Sequence, residues 1–221
     1  MSKVKNYIGK QIFVQISGKD SFNGILTDIG SDVMVIFNGD DYLYLPFNSI
    51  HLIQLNTNDE EQVNQPSEST FLSHTELLSL DHVLTNAKGT FTEIFVTGKT
   101  SYFGYILNIS QDYFTFYSPI YKFMFISIEH LKWLIPHSKN QSPFTLSNEK
   151  IKGLDLTAIQ ADSIEEQLKR KIGHVILIDG GNNPQKSGML NDIKDHLVEL
   201  TLENGEVVYW NLAHIKSVHL V

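Results

Sequence analysis

Gly173-His174-Val175-Ile176-Leu177-Ile178, followed by Gly188-Met189-Leu190-Asn191-Asp192-Ile193, is the stretch that decides the fold, because the chain carries its pattern three times. Gly9 and Gly24, Gly89 and Gly104, and Gly173 and Gly188 each stand fifteen residues apart. Two positions after the second glycine comes Leu26, Ile106 or Leu190, then Asp28, Asn108 or Asp192, then Ile29, Ile109 or Ile193. Each copy closes on a matching segment: Ile50-His51-Leu52-Ile53, Leu131-Lys132-Trp133-Leu134 and Ile215-Lys216-Ser217-Val218. His130 and His214 precede that segment where the first copy has Ser49. Self-similarity at fixed spacing marks three homologous units.

Within a unit the apolar residues alternate, the period of half-buried strands. Ile12, Val14 and Ile16 correspond to Thr92, Ile94 and Val96, and then to Ile176 and Ile178. A second strand opens at the second glycine, and a third covers Val33 to Phe37, Tyr113 to Tyr117 and Leu197 to Leu202. Asn38-Gly39 and Asn204-Gly205 supply the positive φ of a hairpin turn. A fourth strand follows at Tyr42 to Leu45, Tyr121 to Phe125 and Val207 to Trp210, and a short fifth ends each unit. Five short strands per unit suit a small barrel, whose closure removes exposed edges.

The connectors divide the chain. Repeat 1 is set at 1–56, an acidic linker at 57–71, repeat 2 with a lead-in helix at 72–136, a second linker at 137–157, and repeat 3 with its own helix at 158–221. Leu77, Leu80 and Leu84 form the stripe of the first helix, expected over 72–88. Ile164, Leu168 and Ile172 form that of the second, over 161–171, with Asp162 or Ser163 as its cap and Glu165 and Glu166 near its positive end. Unit one has only a short polar lead.

Composition narrows the function. The net charge is −8, charged residues make up 19%, and Arg170 is the only arginine, which is no footprint for nucleic acid. Without cysteine there is no disulfide scaffold, thiolate zinc site or thiol nucleophile. Residues 1–10 lack the apolar core of a signal peptide, and no apolar run approaches the ~20 residues of a membrane span. The expectation is a soluble protein made in the cytoplasm.

A lead-in helix, five strands, a glycine opening strand two and an apolar closing strand resemble the Sm-like small barrel, whose pattern SH3-like barrels share. The sequence is also similar to the spore coat protein B (CotB) family of endospore-forming bacteria. The residues that carry this are Gly180-Gly181-Asn182-Asn183-Pro184-Gln185-Lys186-Ser187-Gly188-Met189-Leu190 and the ending His214-Ile215-Lys216-Ser217-Val218. Units one and two keep the glycines but lose the Gly-Gly-Pro turn, and the Ser/Lys tail of longer coat proteins is absent. The resemblance implies a coat component assembled on the spore surface, with other coat proteins or a second copy as partner. Sm-like barrels joining edge to edge through their last two strands would also allow a pseudo-threefold packing of the repeats.

Chemistry finds no foothold. Thr97-Gly98-Lys99-Thr100 looks like the end of a phosphate-binding loop, but Glu93 stands where that loop needs glycine. Asp179 to Leu190 imitates a calcium loop, yet Leu190 occupies the place of the bidentate glutamate. No histidine pair has zinc-helix spacing, and Asp40-Asp41 lies in a turn. The expectation is no catalytic residue, no metal ligand, no cofactor and no small-molecule substrate. Unit two is rich in aromatics, among which Tyr102, Phe103, Tyr105, Tyr117 and Tyr121 are the candidate partner contacts. Such rings can stack bases, which makes an Sm-like RNA-binding module the alternative. The charge weighs against it: Gly9 to Leu55 has a net −3, Gly89 to Ile135 zero and Gly173 to Val221 −3. The reading is an all-β protein of three small barrels with two short helices, a non-enzymatic structural protein of the spore coat working through protein contacts.

Overall fold

The structure, a computed structural model, describes residues 3–18, 20–56, 63–66, 78–96, 101–137, 161–181 and 183–221. It is all-β. The first repeat holds β1 (Gln11–Ile16), β2 (Ser21–Ile29), β3 (Val33–Phe37), β4 (Tyr42–Pro46) and β5 (Ile50–Leu55). The second holds β6 (Phe91–Phe95), β7 (Tyr102–Ile109), β8 (Tyr113–Ser118), β9 (Lys122–Ser127) and β10 (Trp133–Pro136). The third holds β11 (Val175–Ile178), β12 (Ser187–Lys194), β13 (Leu197–Thr201), β14 (Val207–Asn211) and β15 (Ser217–Leu220).

One wiring recurs. In the first repeat β1 to β4 run as an antiparallel meander and β5 returns beside β1. In the third, β11 to β14 form the meander and β15 returns beside β11. The second repeat pairs β6 with β10 and runs β7-β8-β9 as a meander. Among the described residues, fourth and fifth strands of the same repeat do not pair in the first and third repeats, so hydrogen bonding leaves each group open there.

The recurring glycines do two jobs. Gly9, Gly89 and Gly173 precede the first strand with φ of +80°, +72° and +84°, a left-handed bend that costs other residues strain. Gly24, Gly104 and Gly188 sit where the neighbouring strand comes close. A Cβ there would lie 2.6, 2.1 and 2.5 Å from the carbonyl oxygens of Phe37, Tyr117 and Thr201. A third shared feature is a bulge in the second strand, between Leu26 and Asp28, Ile106 and Asn108, and Leu190 and Asp192. The bulge bends the strand and increases its twist. Asp28 and Asp192 hold it by accepting the N–H of Ile29 and Ile193 at 2.7 and 2.8 Å.

The helices are shorter than the stripes suggest. Helix α1 covers Leu80–Ala87, capped by the Ser79 hydroxyl, and α2 covers Ile164–Lys169, capped by Ser163. The expected start of the first helix, 72–77, lies outside the described residues, as do 57–62, 67–71 and 138–157 of the linkers. The polar lead of the first repeat makes one 3-10 turn at Val4–Tyr7.

Compaction does not follow the repeat boundaries. One compact unit comprises Met1–Phe95 with Leu131–Gln141, and a second comprises Val96–His130 with Ser142–Val221. The first unit therefore takes β6 and β10 from the second repeat, and the second takes β7, β8 and β9. In the first unit, Ile12, Val14, Ile16, Leu26, Met34, Ile36, Leu43 and Leu45 form one core with Phe95, Trp133 and Ile135. Each such side chain, fully buried, contributes ~1.5–3 kcal/mol relative to exposure.

Candidate functional site

The fourth strands of the first two repeats read Leu43-Tyr44-Leu45 and Met124-Phe125-Ile126, apolar without alternation and wholly buried. A strand of that composition needs cover on both faces. The next repeat supplies the strand that pairs with its free edge. In the first unit β10 lies against β4 with Leu134 opposite Tyr44. In the second unit β15 lies against β9, with Ser217, Val218 and His219 opposite Ile126, Phe125 and Met124. It is one junction made twice, the closing strand of a repeat on the fourth strand of the repeat before it.

Side chains secure the first junction. Trp133 stacks on Phe95 at 5.6 Å and meets Phe22 edge-on at 6.0 Å. Lys132 donates to the Ser17 carbonyl at 2.6 Å and to the Ser17 hydroxyl. Its own carbonyl accepts from the Ser49 hydroxyl at 2.9 Å. At the second junction the matching carbonyl, that of Lys216, accepts the Ser127 N–H at 3.0 Å. Pro46 stands in the place of Ser127 and has no N–H, so the hydroxyl of Ser49 supplies the donor. His130, which matches Ser49, reaches forward too, donating to the Ala213 carbonyl at 2.8 Å. The helices dock by the same rule. Asp32 accepts the Leu80 N–H at 2.8 Å and Asp112 the Ile164 N–H at 2.9 Å, each filling a helix-end donor that would otherwise be bare.

The second junction encloses a polar knot. His219, 2% exposed, lies 3.3 Å from the Ser217 hydroxyl and against the rings of Tyr102 and Tyr121. Burial pushes its pKa down to about 4, with the Asp179 charge acting weakly the other way. Burial likewise raises that of the Tyr102 hydroxyl. This buried imidazole of β15 packs the closing strand against Tyr102 and Tyr121.

The candidate aromatic contacts separate into two groups. Tyr102 and Tyr105 are buried, which corrects their reading as surface contacts: β7 buries successive positions from Gly104 to Leu107, so residues of both parities lie in the interior. Phe103 and Tyr121 are 40% and 44% exposed, and Tyr117 is half-buried against Phe123. Exposed apolar residues recur on the third repeat, where Val175 is opposite Met189 and half-buried Thr201 stands between Met189 and Val207 across β11 to β14. The signal for this row was in the sequence as apolar residues at the solvent-facing positions of alternating strands.

A family model described as the YwrJ third domain matches residues 163–218. That match starts at the Ser163 cap and runs to Val218 of β15, so it coincides with the third repeat. Over its whole length the chain is 36% identical to the uncharacterized protein YwrJ of Bacillus subtilis (strain 168), an alignment of 226 residues covering 100% of both chains. The chain belongs to the YwrJ family.

In this YwrJ-family chain the head of the calcium-like stretch is tied into the fold. Asp179, at the head of the calcium-like stretch, accepts the N–H groups of Lys216 and Ser217 at 2.9 and 3.1 Å and pairs with Lys186 at 2.5 Å. Lys186 also lies over the Trp210 ring, 4.8 Å from its centroid. Among the described residues no three His, Asp or Glu gather as a metal site, and no helix is long and apolar enough to cross a membrane. Residues 97–100, the phosphate-loop look-alike, lie outside the described residues.

Proposed function

We propose that this YwrJ-family protein is a non-enzymatic structural protein of the bacterial spore coat, made in the mother cell and assembled on the spore surface through protein–protein contacts. On this reading each group of five strands is one small barrel of the Sm-like or SH3-like kind. The observation that carries the contact role is the junction built twice from the same strands. A repeat that docks on its neighbour by a fixed edge is a docking module, and linked modules gain avidity from high effective concentration. The exposed row of Val175, Met189 and Val207 adds an apolar patch of the kind that marks partner surfaces. The coat assignment rests on the likeness of the third repeat's Gly-Gly-Pro turn and closing segment to the spore coat protein B family.

The test is recovery of the tagged protein from sporulating cells with and without nuclease, read by mass spectrometry, beside imaging of a fluorescent fusion. Coat proteins retained after nuclease and a signal at the spore surface are expected. Recovery that depends on RNA would overturn the reading in favour of an RNA-binding module. With Tyr102 and Tyr105 buried and no repeat carrying net positive charge, that module would have few rings and little phosphate neutralisation to work with.

A further inference from the structure

Each internal junction joins a fourth strand to the fifth strand of the next repeat, so three repeats in a row use two junctions and leave half of another at each end. The halves are β14, the fourth strand of the third repeat, and β5, the fifth strand of the first. Among the described residues β14 pairs only with β13, and β5 only with β1.

Both strands have the composition of covered strands without the cover. Tyr44, Phe125 and Tyr209 hold the same register position, opposite Val35, Thr115 and Glu199 of the third strands. The first two are 0% exposed and Tyr209 is 61% exposed. Val207-Val208-Tyr209-Trp210 is as continuously apolar as its buried counterparts. On the other half, Leu52 and Ile53 match Trp133 and Leu134. Trp133 and Leu134 are buried, whereas Leu52 is exposed and Ile53 half-buried. His214 is exposed and stands where Ser49 and His130 reach into the following repeat.

We infer that β14 of one copy pairs antiparallel with β5 of a second copy, Tyr209 opposite Ile53, in the register that sets Tyr44 opposite Leu134 and Phe125 opposite Val218. The partner is another copy because the missing half of each edge is the other edge of this same chain. Such head-to-tail pairing is heterologous, closing into a ring or running on as a filament. Two features make it weaker than the internal junctions. Lys186 replaces the aromatic of Phe22 and Tyr102, and no Asp caps an incoming helix, since His196 stands where Asp32 and Asp112 do. This inference goes beyond the coat reading, because purified chains pair or stay single whatever their place in the cell.

The chain has no cysteine, so single cysteines report cleanly. Opposite residues of an antiparallel pair have Cα atoms ~4.5–5.5 Å apart, within disulfide reach. A full-length Tyr209→Cys chain mixed with an Ile53→Cys chain is expected to give the mixed disulfide dimer in excess of either homodimer. Sedimentation of the wild type should show mass rising with concentration. Tyr209→Lys and Leu52→Lys, both at exposed positions, should each sediment as single chains with unchanged circular dichroism. Their mixture should stop at two chains, because only one edge of each is intact. A wild type that stays monomeric up to millimolar concentration, or variants that associate as the wild type does, would overturn the inference.

Discussion

His219 is the residue whose surroundings set a pH dependence. Burial against Ser217, Tyr102 and Tyr121 lowers its pKa from 6.5 to about 4, against the weaker pull of Asp179. Between those values the unfolded chain holds a proton that the folded chain does not, so stability falls as pH drops from 6.5 towards 4. The loss approaches roughly 3 kcal/mol at the acid end. Melting temperatures at pH 7 and pH 5 should differ more for the wild type than for His219→Gln, whose side chain does not titrate. The second prediction at this scale concerns Gly104. A Cβ there meets the Tyr117 carbonyl, a backbone atom that cannot step aside. Gly104→Ala should cost about 1–3 kcal/mol in urea unfolding, as overpacking does. Gly89→Asn, in open space at positive φ, should cost less than about 1 kcal/mol, since asparagine tolerates the left-handed region.

At the scale of elements the docking of each lead-in helix can be tested singly. Asp112→Ala removes the acceptor of the Ile164 N–H and should lower stability by about 1 kcal/mol, while Asp112→Asn keeps an oxygen there and should recover most of it. Asp32→Ala and Asp32→Asn should repeat that pattern through Leu80. The elements themselves were readable from the chain. Glycine spacing, alternation in Ile12-Phe13-Val14 and the Asn-Gly turns placed the strands, because a period of two and a required positive φ are local properties. The bulge behind Asp28 and Asp192 and the inward turn of Tyr102 and Tyr105 were not readable. Both depend on which strand comes next door, and β7 holds buried residues at successive positions. The junction left a trace in the unbroken apolar run of Leu43-Tyr44-Leu45, whose cover lies far along the chain.

For the whole molecule the prediction follows from mass action. If copies pair only when folded, the melting temperature rises with protein concentration, and in Tyr209→Lys it should not. A differential scan over a hundredfold range of concentration checks this, and the slope should vanish in the variant. Trp133→Ala tests a different level, the internal junction. It removes a ring packed between Phe22 and Phe95 and should cost about 3–5 kcal/mol at every concentration.

The division of the second repeat between two compact units also has a consequence for synthesis. β4 acquires its cover only when β10 exists, and the bonded pair Ser49 and Lys132 are 83 residues apart. At roughly 5–20 residues per second, the ribosome leaves that edge naked for roughly 4–17 s. For that interval the nascent first repeat carries the same half-junction that β14 keeps in the finished chain. Neighbouring ribosomes on one message would hold such edges within reach of each other, and slow stretches of translation between residues 50 and 130 would prolong the encounter.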